Sequence, residues 1–216
     1  MTALQLGTLP CDCHLERHDL KLIAVTGGPG AGKTAVLELA SRAFCSHVAI
    51  FPEAASIVFS GGFPRHQNAA GRRAAQRAIF HIQCEVEQLV REENEVAVGL
   101  CDRGTVDGLA YWPDSPERYW AELETTPERE YARYAAVVHL ETPDAEEGYN
   151  HQNRLRVESP AEAKALDDAI KRAWSGHPRR YVVPSSKDFV AKAHQALALL
   201  RDELPSCCRP HDISRD

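Results

Sequence analysis

Gly27-Gly28-Pro29-Gly30-Ala31-Gly32-Lys33-Thr34, followed by Ala35, stands between an apolar run, Leu22 to Val25, and a segment of helical periodicity. It satisfies the pattern G-x-x-x-x-G-K-[ST] through Gly27, Gly32, Lys33 and Thr34. Glycines let consecutive backbone N–H groups and the following helix N-terminus point at one anion. A lysine at this spacing reaches the terminal phosphates of a nucleotide, and the hydroxyl after it can ligate Mg²⁺. Residues Gly28 to Ala35 are therefore candidates for holding a nucleoside triphosphate, ATP or GTP. The strand before and the helix after separate the stretch from an ordinary glycine-rich turn.

Outward from this loop, Val36, Leu37, Ala40 and Phe44 recur at helical spacing and predict a helix to about Ser46. His47 to Phe51 then reads as a second strand and Val96 to Cys101 as a third, buried on both faces because it is almost unbroken in its apolarity. Ala135 to Leu140 and Arg180 to Val183 supply a fourth and a fifth. Helical segments separate them: Ala54 to Phe59, a long one from Asn68 to about Glu93, and shorter ones with Ser115-Pro116 and Thr126-Pro127 as N-cap and first helical residue. Ser159 and Glu162 form a capping box for another, with Leu166, Ile170 and Trp174 on one face, and a last helix runs to Leu204. Strands alternating with helices predict an α/β fold, a five-stranded parallel sheet with helices on both faces. In the long helix Ile79, Ile82, Val86, Leu89 and Val90 form the expected core stripe.

With 216 residues, 44% hydrophobic and 26% charged, one domain accounts for the chain. Residues 20–204 are expected to form it, after a poorly ordered lead-in at 1–19 and before a tail at 205–216. The net charge of -6 argues against nucleic acid as a partner of the whole surface. No apolar run is long enough to span a membrane and no signal-peptide core is present, so a cytoplasmic location is expected. A monomer or homodimer is the expected state. Seven cysteines, an odd number, fit reduced thiols better than a disulfide framework. Cys11, Cys13 and His14 near one end, and Cys207, Cys208 and His211 near the other, raise the question of zinc, although neither group has C-x-x-C spacing.

In an open parallel sheet the loops after neighbouring strands meet in one crevice. The loops after the first three strands carry Lys33 and Thr34, then Glu53, then Asp102 and Arg103. Thr34 and Asp102 are the candidate Mg²⁺ ligands, although Asp102 alternatively caps the next helix. Arg103 suits a transferring or acceptor phosphate, with a structural ion pair to Glu53 as the alternative. Glu53 is the candidate base or orienting group for an acceptor hydroxyl, with a role behind the metal as its rival. Gln83 and Phe80 occupy a stripe beside the core stripe of the long helix, where an amide and a ring can face an acceptor, with a partly exposed helical glutamine as the alternative. Arg72, Arg73 and Arg77 at its start either hold acceptor phosphate or solvate the helix. Arg154 and Arg156 lie in a polar stretch, about 145–160, placed to cover the triphosphate and add positive charge, with a solvated arginine face as the alternative. Asp107, His177 and Arg179 complete the candidates.

Taken together, GGPGAGKT, Pro52-Glu53, CDRG with Asp107 three residues further, NRLRVES and AWSGHPR give the chain a resemblance. It resembles the P-loop ATP/GTP-binding family labelled as an AAA-type domain, which includes the nicotinamide riboside kinase domain of the bacterial NAD-biosynthesis regulator and the animal translocation-defect GTP-binding protein. It is similar, more distantly, to thymidylate and deoxynucleoside kinases. The resemblance spans about residues 20–204. It implies a three-layer P-loop kinase-like fold with strand order 2-3-1-4-5, a lid carrying Arg154 and Arg156, and Asp102 and Arg103 acting near metal and phosphates. The position before Asp102, usually aromatic in that family, is Cys101 here. No tetrad fixing guanine specificity is present, so ATP is the default nucleotide.

The reading that follows is a Mg²⁺-dependent phosphotransferase moving the γ-phosphate of ATP to an unidentified small acceptor, nucleoside- or nucleotide-like. Lys33, Glu53, Asp102, Arg103, Arg154 and Arg156 would carry the reaction, and Glu53, Arg77, Phe80, Gln83, Arg103 and Asp107 would border the acceptor. A slow NTPase or nucleotide-dependent switch with a protein or lipid partner is the rival.

Overall fold

Four consecutive apolar residues before the phosphate loop lie at the centre of the protein. In a computed structural model, which describes residues 4–11, 18–143 and 159–209, they belong to the strand Lys21–Thr26, and Leu22 to Val25 are all at most 1% exposed. Successive side chains of a strand point to opposite faces. Ile23 and Val25 accordingly join one apolar layer, with Val36, Ala40, Leu197 and Leu200. Leu22 and Ala24 join the other, with Phe80, Tyr119, Ile170 and Trp174. Burial on both faces makes the run continuous rather than alternating, and it produces three layers.

The elements run β1 (Gln5–Leu6), β2 (Lys21–Thr26), α1 (Lys33–Ala43), β3 (Val48–Phe51), α2 (Ala54–Ser60), α3 (Ala69–Glu93) and β4 (Val98–Asp102). A 3-10 turn (Thr105–Tyr111), α4 (Pro116–Glu122), α5 (Pro127–Tyr131), β5 (Tyr134–Leu140), α6 (Pro160–Ala173), β6 (Arg180–Val183), α7 (Phe189–Glu203) and a last 3-10 turn (Ser206–Cys208) follow. The caps act as their sequences dictate. Ser115, Thr126 and Ser159 each accept from the backbone N–H three residues on, with proline at the first helical position, and Asp188 caps α7.

The sheet has six strands in the order β1-β3-β4-β2-β5-β6. Five are mutually parallel, but β1 pairs antiparallel with β3, Gln5 opposite Ile50 and Leu6 opposite Ala49. This corrects the expected five-stranded parallel sheet. The extra strand comes from the stretch read as a lead-in. It is two residues long, too short for a period to register, and it is held by backbone bonds: Gly7 N–H to Val48 O at 2.8 Å and Thr8 N–H to Ser41 O at 2.9 Å. Beyond the expected domain end, Cys208 is also buried.

A second correction concerns α3. Its buried face is Ala75, Gln76, Phe80, Gln83, Glu87 and Val90, whereas Ile79, Ile82 and Val86 are half-buried and Leu89 is 54% exposed. Polar residues are tolerated inside because they are paired. Fully buried Glu87 accepts from Gln83 Nε2 at 2.8 Å, Arg133 Nη2 at 2.5 Å and Tyr134 Oη at 2.6 Å. Among the described residues no helix is long and apolar enough to cross a membrane.

Candidate functional site

The loop between β2 and α1 turns on Gly27, Gly30 and Gly32, whose φ angles are 137°, 82° and 92°. Side-chain-bearing residues rarely adopt that region. Gly28 is required for another reason: a Cβ there would lie 2.5 Å from Thr142 Oγ1 and 2.8 Å from Asp167 Cβ. Gly32 caps α1 without a side-chain bond, so no side chain of the cap takes up the first amides of that helix. Lys33 is buried and folds back on the loop, donating to the carbonyls of Gly27 at 2.9 Å and Gly28 at 3.0 Å. Burial and then the charge of Arg103 push its pKa down to about 8. A cation held in this poorly solvated position gains most from an anionic partner.

The strand ends converge as parallel topology requires. Glu53 follows β3 and Arg103 follows β4, and the guanidinium Nε donates to Glu53 Oε1 at 2.9 Å. Arg103 also reaches Gly27 O at 3.2 Å and Asp107 Oδ1 at 3.3 Å, with its backbone at φ 73°, a left-handed conformation unusual for a residue with a side chain. Burial works against the Glu53 charge, yet Arg103 and the Ser56 hydroxyl, 2.6 Å from Oε2, hold its carboxyl below the usual range. Asp102 differs. Burial pushes it up to about 6, against the pull of Lys33. Its Oδ1 is a buried carboxylate oxygen with no hydrogen-bond partner among the described residues.

That orphaned oxygen tests whether the site fits a divalent cation. Asp102 and Thr34 line one hollow together with Glu53 and Ser56. A hard oxygen donor set beside a triphosphate loop is what Mg²⁺ takes. The residues fit the ion.

A neighbouring hollow of about 330 Å³ opens from the loop residues Pro29, Gly30 and Thr34, past Glu53 and Arg103, to Phe80, Gln83 and Tyr119. It is thus bordered by Phe80 and Gln83, and Gln83 commits its Nε2 to Glu87. Asp107, buried in the lining of the same hollow, has both oxygens engaged: Oδ1 by Thr26 and Arg103, Oδ2 by the Gly104 N–H at 3.0 Å and the Trp174 indole at 2.9 Å. It fixes the turn that presents Arg103.

The arginines opening α3 tie it to its neighbours. Arg72 donates to Tyr111 O at 2.8 Å, Arg73 pairs with Asp114 at 2.9 Å and Arg77 with Glu122 at 2.6 Å. Arg77 is not in the lining of the hollow; Arg65 is. His177 bridges Tyr134 O at 2.9 Å and the Arg179 N–H at 3.1 Å, and the exposed Arg179 pairs with Glu203 at 2.9 Å; neither lines the hollow. Arg154 and Arg156 lie outside the described residues, as do Cys13, His14 and His211.

Behind the loop stands a set that the motif did not reveal. Asp167, fully buried on α6, accepts the Gly28 N–H at 2.7 Å and sits 3.0 Å from His139 Nε2. Burial opposes its charge, but His139 and the Gly28 amide hold its carboxyl down to about 2. Lys192 Nζ donates to Ala31 O at 2.9 Å and Glu141 O at 2.6 Å, and Thr142 Oγ1 to Pro29 O at 3.3 Å. A signal was present: Ala163, Asp167, Ile170 and Trp174 share one helical face, and an acidic residue on an apolar face needs a partner.

A mixed, largely parallel sheet with a triphosphate loop after its first parallel strand defines a P-loop protein of kinase-like fold. The AAA domain family matches residues 22–192, so the chain belongs to that family. Among solved structures it is similar to the thymidylate kinase of Candida albicans, at TM-score 0.54 and 14% identity over 93% of each chain. It is also similar to the thymidylate kinase of Ehrlichia chaffeensis, at TM-score 0.53 and 13% identity over 84% of this chain and 98% of that one. At such identities the likeness is one of fold. No curated protein matches the sequence.

Proposed function

We propose that the protein is a phosphotransferase that moves the γ-phosphate of ATP to a small nucleoside- or nucleotide-like acceptor. The observation that carries this reading is the orphaned Asp102 Oδ1 in a crevice it shares with Thr34 and the Glu53–Arg103 pair. A buried carboxylate oxygen left unpaired costs stability, and a divalent cation on it removes that cost.

Phosphoryl transfer calls mainly for positioning and charge neutralisation. The amides from Gly28 to Ala35 and the Lys33 ammonium bind and orient the triphosphate. Thr34 and Asp102 would hold Mg²⁺, which when bound offsets phosphate charge. Glu53, ionised and borne by Arg103, orients the acceptor hydroxyl. Arg103 faces the charge developing on the transferred group, with Arg154 and Arg156 as further cations. Phe80 and Gln83 border the space left for the acceptor, which at about 330 Å³ suits a small ring system. The fold of the thymidylate kinases supports a nucleotide-like acceptor.

The test is ADP release from ATP and Mg²⁺ over a panel of nucleosides, nucleotides and small alcohols. A phosphotransferase shows strong stimulation by some panel member, and Glu53→Gln loses that stimulation by at least about 100-fold while keeping ATP binding. Slow release indifferent to every acceptor would instead establish the NTPase or switch reading.

A further inference from the structure

At the opposite rim of the sheet, where β3 begins rather than ends, three thiols and an imidazole face one point. Cys11, Cys45 and Cys208 are at most 6% exposed and His47 is half-buried. Their ligand atoms, one from each residue, all lie within 4.8 Å of one another. Cys11 Sγ is 3.9 Å from Cys208 Sγ, which is 3.7 Å from His47 Nδ1. A tetrahedral ion with sulfur ligands at about 2.3 Å has sulfurs about 3.8 Å apart, so these separations are those of a tetrahedron's edges. Neither terminal grouping in the sequence contains this set. The fold makes it by bringing Cys45 and His47 of the α1–β3 connection between the two ends of the chain.

We propose that Cys11, Cys45, His47 and Cys208 bind one zinc ion as a structural Cys₃His site. Soft thiolates with an imidazole select zinc over the magnesium of the phosphate site. Binding displaces the three thiol protons to solvent and leaves a site of net charge about -1 on the ion and its ligands. Four protein ligands leave no open position, so the ion is structural. It ties together three segments, the first two of which also share backbone bonds. Leu9 bridges Cys45, Ser46 N–H reaches Leu9 O at 3.0 Å, and the Cys208 turn closes on Pro205 O at 2.9 Å. A neighbouring group, His18, Cys207 and Cys208, shares Cys208, with Cys207 Sγ 3.3 Å from His18 Nε2. It offers three ligands among the described residues, so the four-ligand set takes the ion. The inference does not depend on the phosphotransfer reading.

The full chain, without a polyhistidine tag and kept reduced in chelator-free buffer, should carry one equivalent of zinc by elemental analysis. Exchange to Co²⁺ should give intense tetrahedral visible bands with a sulfur-to-cobalt charge-transfer band. Cys11→Ser, Cys45→Ser and Cys208→Ser should each lose the metal, while Cys207→Ser and Cys84→Ser keep it. A strong chelator should lower the melting temperature of the wild-type chain by several degrees. If the three variants do not fold, the wild-type cobalt spectrum decides. Folded wild-type chain that binds neither metal overturns the proposal. So does zinc retained by Cys45→Ser, or a native Cys11–Cys208 disulfide found by alkylation and mass spectrometry.

Discussion

Asp167 shows what a single residue does for the phosphate loop without touching a nucleotide. Its carboxylate receives the Gly28 amide and the His139 ring in a fully buried position, and it fixes the loop from behind. A carboxyl held at about 2 in the folded chain against an ordinary 3.8 contributes on the order of 2 kcal/mol. Because the folded value is the lower one, this stabilisation is complete above about pH 4 and is lost as pH falls through about 2. Asp167→Asn should therefore cost about that much in denaturant unfolding at pH 7, and the gap to wild type should close on acidification. A gap that stays constant with pH would assign the residue to packing alone. The motif could not announce Asp167, since it lies 139 positions from its partner Gly28. Lys33, Thr34 and Asp102 were legible because loop chemistry and a strand's end confine them to one place.

Among the elements, α3 departs most from its sequence pattern. Hydrophobic spacing marks Ile79, Ile82, Val86, Leu89 and Val90 as the inward stripe, but the helix is rotated to bury Gln83 and Glu87 beside Phe80. Pattern reading assigns polar residues to water, and here that fails because Arg133 and Tyr134 are brought to Glu87 from β5 and the turn before it. Arg133→Met should destabilise the fold by about 3 kcal/mol, the cost of leaving a buried carboxylate without its cation. Leu89→Glu should change stability by less than about 0.5 kcal/mol, because that side chain is 54% exposed. Equal losses from the two variants, measured by urea unfolding, would restore the hydrophobic stripe as the packed face. The caps, by contrast, were read correctly from Ser115, Thr126 and Ser159, since an N-cap is decided within three residues of chain.

Across the whole molecule the two rims of the sheet carry different chemistry. Carboxyl ends of β2, β3 and β4 gather oxygen donors and cations around a glycine-lined loop; the amino end of β3 gathers thiols from both ends of the chain. The first arrangement follows from strand order and was legible once the alternation of strands and helices was seen. The second depends on an edge strand of two residues, Gln5–Leu6, and on a turn after α7, neither of which has a period to read. Titration calorimetry of the full chain with ATP and Mg²⁺, compared with Lys33→Ala, tests the central claim that this crevice holds a triphosphate. One site per chain is predicted, with affinity lowered at least about 100-fold in the variant, since a buried charge-assisted contact contributes about 3 kcal/mol or more. Wild-type affinity in a folded Lys33→Ala chain would contradict it.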